Sequence, residues 1–141
     1  MDYYEEAVLF HLTSIKHMFV LPQPAIVERD EFGKVSWEAY PDFLAVNFNE
    51  PSIEVVEVTK AWKIDKVREK CKASYLQIVE RNIREKIFQR ELTSFSLNWH
   101  FIVRSALVER VREELDKNGL GSNARVSCLE KILEEIAKQL P

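Results

Sequence analysis

The stretch YPDFLAVNFNEPSIEVVEVTK, residues 40–60, predicts two β-strands joined by a tight turn, and this pair decides the fold. The second run, residues 53–59, is rich in the β-branched residues that strands favour. The intervening residues 49–52 are Asn-Glu-Pro-Ser, which is typical of a turn. Carboxylates interrupt both apolar runs, Asp42 at the start of the first and Glu57 late in the second.

Further elements are predicted on both sides of this pair. Before residue 53, the sequence predicts a helix over residues 2–19, a hairpin of strands 25–29 and 35–40, and a strand over residues 42–49. After residue 60, it predicts one long helix or two nearly continuous helices over residues 63–91, a strand over 95–104, a helix from Ser105 or Ala106 to Asn118, and a last helix over 128–140. Residues 35–49 form either one strand or two strands that bend at Pro41.

This order of elements defines the predicted fold class. A strand, a helix and another strand in succession allow the strand at 95–104 to join the sheet parallel to an earlier strand. We therefore predict an α/β or α+β protein with a mixed central sheet of about four strands and helices at its flanks. The chain of 141 residues suits a single domain, with a core over residues 2–104 and a helical extension over residues 105–141.

The composition excludes several classes of site. Only three glycines occur, so a glycine-rich phosphate loop is not available. The two cysteines, Cys71 and Cys128, form no CxxC pair, which favours a reducing compartment and argues against a zinc site. The N-terminus has acidic residues where a signal peptide has basic ones, and no apolar run has the length of a membrane span. We expect a cytoplasmic protein.

The charges are segregated along the chain, although the net charge is only −3. Residues 1–59 hold 3 basic and 11 acidic side chains, whereas residues 60–90 hold 10 basic and 4 acidic ones. An acidic block followed by a basic one is what a carboxylate metal site beside a phosphate-binding surface needs. A solvated basic helix that compensates an acidic neighbour would produce the same distribution.

Asp42 and Glu57 are predicted to lie at one end of the sheet. If their strands pair as a hairpin, the start of the first lies opposite the end of the second. Thr59 would face the same side of the sheet as Glu57. Two carboxylates close together repel unless a cation lies between them, and magnesium favours such sparse sites of hard oxygen ligands. Alternatively, Asp42 initiates its strand by a side-chain hydrogen bond and Glu57 lies on a solvated face.

These residues resemble the signature of the PD-(D/E)XK nuclease superfamily. Pro41-Asp42 is followed, after a spacer, by Glu57-Val58-Thr59-Lys60 within an apolar strand. The predicted order of elements also resembles the α-β-β-β-α-β core of that superfamily, which includes restriction enzymes and Holliday-junction resolvases. The resemblance implies hydrolysis of phosphodiester bonds in DNA, with Mg²⁺ or Mn²⁺ as the cofactor.

The resemblance assigns roles to individual residues. Asp42 and Glu57 would be the metal ligands, and Lys60 would support the transition state. Glu5 on the first helix would complete the metal site, and Gln77 would be the polar residue on the helix that follows the lysine strand.

One position departs from the family pattern. The lysine is expected two residues after the acid, but Thr59 stands there, and Lys60 would face the opposite side of an ideal strand. A bulge could return Lys60 to the site. The threonine also allows an alternative, a catalytically inactive nuclease-like fold that binds nucleic acid or a protein, and a plain interaction protein is a third possibility.

Basic residues predict where DNA would bind. The helix that follows the candidate strand carries a series of lysines and arginines, namely Lys63, Lys66, Lys70, Arg81, Arg84 and Arg90. We expect these side chains to contact the phosphate backbone, so that binding depends on salt and little on sequence. A homodimer or a partner subunit is expected to assist target choice.

The remaining aromatic and titratable residues are interpreted as structural. Trp37, Trp62 and Trp99 could stack on bases, but tryptophans in a domain of this size are expected to fill the core. Cys71 falls on the apolar face of its helix, and His100 is interpreted as a packed core or surface residue.

Overall fold

The computed structural model describes residues 1–87 and 94–140. In these residues the helices are α1 (Tyr3–Thr13), α2 (Asp65–Arg68), α3 (Ala73–Asn82), α4 (Val108–Lys117) and α5 (Leu129–Gln139). The strands are β1 (Met18–Pro22), β2 (Ile26–Arg29), β3 (Val35–Ala39), β4 (Phe43–Asn47), β5 (Ser52–Val58), β6 (Ser96–Val103) and β7 (Ala124–Cys128). A 3-10 turn, Glu69–Cys71, separates α2 from α3, a π-helical segment, Ile83–Ile87, follows α3, and the 3-10 turn Ser105–Leu107 leads into α4.

A mixed five-stranded sheet organises the described part of the chain, with the strand order β1-β4-β5-β6-β7. β4 is antiparallel to both β1 and β5, and its register with β5 pairs Phe43 with Val56. β6 lies parallel to β5, with Val56 opposite His100. The predicted fold class, an α+β protein with a mixed central sheet, is confirmed. So is the parallel pairing expected for the strand after the long helix.

Each face of the sheet has its own apolar core. Leu44, Val55 and Phe101 face the layer formed by α2, α3 and α4. Phe43, Val56 and Ile102 face the layer formed by α1 and α5. β5 is therefore covered on both sides, which explains its run of β-branched residues without regular polar alternation.

The hairpin β2–β3 forms a separate two-stranded sheet. The two strands are antiparallel, and Gly33 in their turn has a φ of 79°, the left-handed conformation that glycine adopts readily. The chain then leaves this sheet at Tyr40-Pro41 and enters β4 of the central sheet. Residues 35–49 are consequently two strands in two different sheets.

The first helix is shorter than predicted. Residues 2–19 were expected to be helical throughout, but α1 ends at Thr13 and residues from Met18 onward form β1. His17 between them has a φ of 66°, which an α-helix cannot accommodate. Phe19 has the spacing of the helical face, yet it is 56% exposed on the edge strand.

The predicted helix over residues 63–91 is interrupted. Lys72 has extended backbone angles (φ −78°, ψ 138°) between the 3-10 turn and α3. Residues 88–91 of the predicted helix, and with them Arg90, lie outside the described residues. The break sets the direction in which the side chains of α3 point relative to those of the preceding turn.

The C-terminal residues extend the sheet rather than only adding helices to it. β7 pairs parallel to β6, with Phe101 opposite Val126. The last helix begins at Leu129, and Ser127 before it lies on β7, with its hydroxyl hydrogen-bonded to His100. The predicted end of α4 is confirmed, because Gly119 has a φ of 74° and the Leu120 N–H donates to the Leu115 carbonyl as in a Schellman motif.

Within the described ranges, no helix has the length and apolarity needed to cross a bilayer.

Candidate functional site

Asp42 and Glu57 lie at the same end of the sheet and on the same face. They occupy the next position beyond the Phe43–Val56 pair in the antiparallel register of β4 and β5. The side chains of a strand alternate between faces, so Asp42 follows Leu44 and Glu57 follows Val55 toward the α2–α4 layer. The expectation that the two acids come together is fulfilled by the hairpin register.

Asp42 is held by the end of the neighbouring strand. Its Oδ2 accepts a hydrogen bond of 2.7 Å from the Val58 N–H. Burial raises the pKa of Asp42 to about 7, and the nearby charge of Glu57 and a side-chain hydrogen bond with Glu5 act in the same direction. Asp42 therefore does more than initiate its strand, because it shares a partly desolvated site with two further carboxyl groups.

Glu57 is the most buried acid of this group, with 3% of its surface exposed. Its Oε2 accepts a 2.8 Å hydrogen bond from Lys70 Nζ, and its Oε1 accepts one of 3.3 Å from the Tyr75 hydroxyl. Burial raises the pKa of Glu57, while Lys70 and Tyr75 oppose that rise. The alternative, in which Glu57 lies on a solvated face of the sheet, is excluded by this burial.

Lys70 is the cation of the site. Burial alone would lower its pKa, but Glu57, together with Asp42 and Glu5, outweighs that effect and raises it. Lys70 is therefore charged at neutral pH, and 41% of its side chain remains exposed. Lys70 belongs to the 3-10 turn after α2. From the sequence it was predicted to be a DNA-binding residue and not a catalytic one.

Lys60, which was predicted to be the catalytic lysine, lies on the other side of the sheet. Its Nζ is 3.4 Å from Asp2 and 5.8 Å from the ring centre of Tyr4, at the start of α1. Thr59, at the position where the family has lysine, ends the strand: its hydroxyl accepts from the Ala61 N–H at 3.2 Å. β5 ends at Val58 in unbroken register with β6, and the Lys60 ammonium group contacts Asp2 rather than Glu57.

Glu5 lies near the other two acids of the site, whereas Gln77 points away from them. Glu5 lies in the first turn of α1, where it forms a capping box with Asp2, and it reaches the other two acids closely enough to influence the pKa of both. Gln77 is exposed on α3, whereas Tyr75 of the same helix reaches Glu57. Residues two apart on a helix point about 200° apart, so Gln77 faces away from the site.

The predicted DNA-binding residues differ in exposure and in their ion pairs. Lys63 and Lys66 are exposed near the end of β5. Arg81 forms an ion pair with Glu28 of the hairpin, and Arg84 pairs with Glu80 at 3.2 Å. Among the described members of this set, Lys63 and Lys66 are exposed and form no ion pair with a described residue, and the Lys70 side chain is partly exposed.

A second polar cluster lies on the opposite face of the sheet, beside a cavity of about 620 Å³ that Asp42 and Glu57 do not line. His100 is 3% exposed, and its Nε2 is 2.6 Å from the Ser127 hydroxyl. Glu54 accepts two hydrogen bonds from Arg125, at 2.7 and 2.9 Å. Burial and the charge of Arg125 lower the pKa of His100 to about 4, so it is neutral at physiological pH. This cluster links β5, β6 and β7.

The carboxylates at the end of β4 and β5 suit a sparse metal site. Within residues 1–87 and 94–140, no three His, Cys, Asp or Glu side chains are arranged so as to hold a metal ion. Magnesium often binds through only one or two carboxylates, with waters and substrate phosphate completing its shell. Burial is the main cause of the raised pKa values of Asp42 and Glu57, and the neighbouring carboxyl groups add to it. Asp42 and Glu57 are the two carboxylates that such a sparse site would use.

The geometry defines a class of site: two desolvated carboxylates and a lysine at the end of a mixed sheet. In comparisons with known proteins, neither a family model nor a curated protein matches this sequence.

Proposed function

We propose that this protein hydrolyses phosphodiester bonds in DNA with the help of Mg²⁺ or Mn²⁺. The observation that carries the proposal is the convergence of Asp42, Glu57 and Lys70 at the ends of β4 and β5. Two acids that repel each other are costly in a folded protein unless they bind a cation. The resemblance of Pro41-Asp42 and Glu57 to the PD-(D/E)XK signature, together with the order of elements, supports the same function.

Lys70 takes the role that the family pattern gives to Lys60. The ammonium group of Lys70 lies against Glu57 from a neighbouring helical turn, on the same face of the sheet as both acids. A charged lysine at this position can orient an attacking water or stabilise the negative charge that develops on the phosphate. The threonine at residue 59 is then compatible with activity, since another element supplies the cation.

The other residues of the site act on position and charge. A divalent ion bound by Asp42 and Glu57 would lower the pKa of a bound water and offset phosphate charge. The Tyr75 hydroxyl orients Glu57, and the Val58 N–H orients Asp42. Glu5 makes a side-chain hydrogen bond with Asp42.

A cleavage assay tests the proposal. Purified protein is incubated with supercoiled plasmid and with labelled linear DNA in Mg²⁺, in Mn²⁺ and in EDTA. We expect cleavage with either metal and none in EDTA, and a loss of at least about 100-fold for Asp42→Asn or Glu57→Gln. Glu5→Gln should reduce the rate, whereas its neighbour Glu6→Gln, which changes the same charge on the exposed side of α1, should not. Equal rates in all variants would refute the assignment.

A nuclease-like module without catalysis is the second candidate, and Thr59 is the observation that favours it. In that case the protein binds DNA in the presence of EDTA, and it cleaves DNA with neither Mg²⁺ nor Mn²⁺. Binding of DNA with no cleavage of any substrate in either metal would support this candidate against the first.

A further inference from the structure

A cluster of aromatic and basic side chains lies at the same end of the sheet as the candidate site, after β5 and β6. Trp62 follows β5 and is 67% exposed, contrary to the expectation that it fills the core. The guanidinium of Arg104 lies 4.3 Å from the ring centre of Trp62 and 5.1 Å from that of Tyr4. We call Tyr4, Trp62 and Arg104 the aromatic platform. The exposed part of the Trp62 ring is a flat apolar surface that another flat group could cover.

Arg104 fixes the platform in position. Its Nε donates a 3.0 Å hydrogen bond to the Lys60 carbonyl, and one of its terminal nitrogens lies 3.4 Å from the Tyr4 hydroxyl. The arginine therefore connects the end of β6, the loop after β5 and the first turn of α1. A tryptophan ring braced in this way loses little conformational freedom when a second flat group stacks on it.

The platform is connected to the three carboxylates along the chain and through the first turn of α1. Trp62 is five residues beyond Glu57, and Tyr4 precedes Glu5, which interacts with both Asp42 and Glu57. Exposed Lys63 and Lys66 follow Trp62 closely along the chain. An aromatic ring with an arginine against it and lysines beside it has the chemistry that binds single-stranded nucleic acid, by base stacking and phosphate contacts.

We propose that the aromatic platform binds an unpaired base, so that the substrate is DNA with a single-stranded segment next to the bond that is cut. This inference rests on the proposed function and adds the substrate class to it. The base stacks on Trp62, while Lys63 and Lys66 contact the phosphates that flank it. Bases inside an intact duplex are already stacked on one another, so they cannot reach the ring without unpairing.

Binding measurements in EDTA test the platform apart from catalysis. The probes are a labelled single-stranded oligonucleotide, an abasic strand of the same length and charge, and a blunt duplex. We expect the wild type to prefer the single strand over the abasic strand. Trp62→Ala should lose roughly 10-fold in affinity for the single strand and little for the abasic one. Trp62→Phe should recover part of the loss, and Phe32→Ala, which removes an exposed aromatic residue from the β2–β3 turn, should have no effect.

The salt dependence separates stacking from charge. Trp62→Ala removes no phosphate contact, so the slope of log affinity against log salt should stay unchanged. Lys63→Ala and Lys66→Ala should each reduce that slope by about one and weaken the abasic strand and the single strand equally. An equal loss for both probes in Trp62→Ala, or no loss for either, would overturn the inference.

Cleavage in Mg²⁺ distinguishes failure of this inference from failure of the proposed function. If the wild type cuts DNA but Trp62→Ala shows the same preference between flapped and fully paired substrates, the platform is refuted and the nuclease stands. If base-dependent binding at Trp62 is present but no DNA is cut, the platform stands and the nuclease is refuted.

Discussion

Lys70 is the residue whose position has the most direct consequence for the proposed catalysis. Its ammonium group bonds to Glu57, whereas Lys60 bonds to Asp2 behind the sheet. We expect Lys70→Met to reduce cleavage by about 100-fold, because a cation is lost where charge develops on the phosphate. Lys60→Met should retain most of the activity. Initial rates at saturating DNA provide the comparison.

Lys72→Met is the matched control for that measurement. Lys72 is also a half-exposed lysine of the same segment, but it pairs with Glu69 rather than with the site. Thermal unfolding of each variant checks that the fold is intact, because Glu57 loses its cation in Lys70→Met. If Lys60→Met were the inactive variant, the catalytic role proposed for Lys70 would be wrong.

Asp42 is predicted to destabilise the metal-free protein at neutral pH. Its pKa is about 7 in the fold and near the ordinary value of about 4 in the unfolded chain. The unfolded state therefore loses its proton first, and the penalty for folding grows from about pH 4 to about pH 7. Asp42→Asn keeps an oxygen for the Val58 N–H, so we expect it to gain roughly 1–2 kcal/mol at about pH 8 in EDTA.

Urea unfolding at several pH values measures this effect. The gain of Asp42→Asn should shrink as the pH falls and disappear near pH 4. A variant that is less stable than the wild type at both ends of this range would contradict the account of a desolvated, strained carboxylate.

The acids of the site could be predicted from sequence, whereas their cation could not. The shared position of Asp42 and Glu57 follows from the alternation of side chains along a strand and from the short turn, which together fix the register of β4 and β5. Lys70 and Tyr75 depend on the break at Lys72, and nothing in a segment of good helix formers marks that break. The ring of Tyr75 packs against the apolar core, as its helical spacing would predict, whereas its hydroxyl contacts Glu57.

At the level of elements, the contact between β6 and β7 should make stability depend on pH. His100 is buried and neutral, with a pKa of about 4, whereas the unfolded chain binds a proton near pH 6.5. Stability should therefore fall as the pH decreases from about 6.5 to about 4, by up to a few kcal/mol. Protonation of Asp42 is expected to raise stability as the pH falls, so the two contributions have to be separated by comparing variants.

His100→Gln isolates the histidine contribution. The amide does not titrate in this range, so the variant should lose less stability than the wild type between about pH 7 and about pH 5. An identical pH profile in the two proteins would show that His100 does not carry the effect.

The end of α4 provides a prediction that depends on backbone conformation alone. Gly119 has a φ of 74°, and a Cβ added there would meet no atom within 4 Å. Gly119→Ala should therefore cost about 1 kcal/mol through the left-handed backbone, without a steric clash. Gly33→Ala, at the hairpin turn with a φ of 79° and equally open space, should cost a similar amount. Chemical denaturation measures both.

The strands at the two edges of the sheet were missed for a common physical reason. β1 and β7 have five residues each and are covered incompletely, so they lack the regular apolar pattern that identifies β5. In β1 the apolar spacing of α1 continues by chance through Phe19, and only the left-handed backbone at His17 separates the two elements. The interior strands were predictable because both of their faces are buried.

At the level of the whole molecule, metal binding should stabilise the fold. An ion that binds only the native state raises stability by about 2.7 kcal/mol at a concentration of 100 times its Kd. We expect Mg²⁺ and Mn²⁺ to raise the melting temperature of the wild type and to have no effect on a double variant, Asp42→Asn with Glu57→Gln. Ca²⁺ binding in the same assay would report on the carboxylates without turnover of DNA.

The contrast between β5 and the segment that carries Lys70 has a consequence for motion. Backbone amides in the middle of β5 are paired on both sides and shielded by two layers, so they should exchange with deuterated solvent only upon global unfolding. Residues 65–71 form a four-residue helix and a single 3-10 turn, which should open much more often. We therefore expect the backbone that carries Glu57 to stay fixed on a time scale on which the backbone of Lys70 opens and closes.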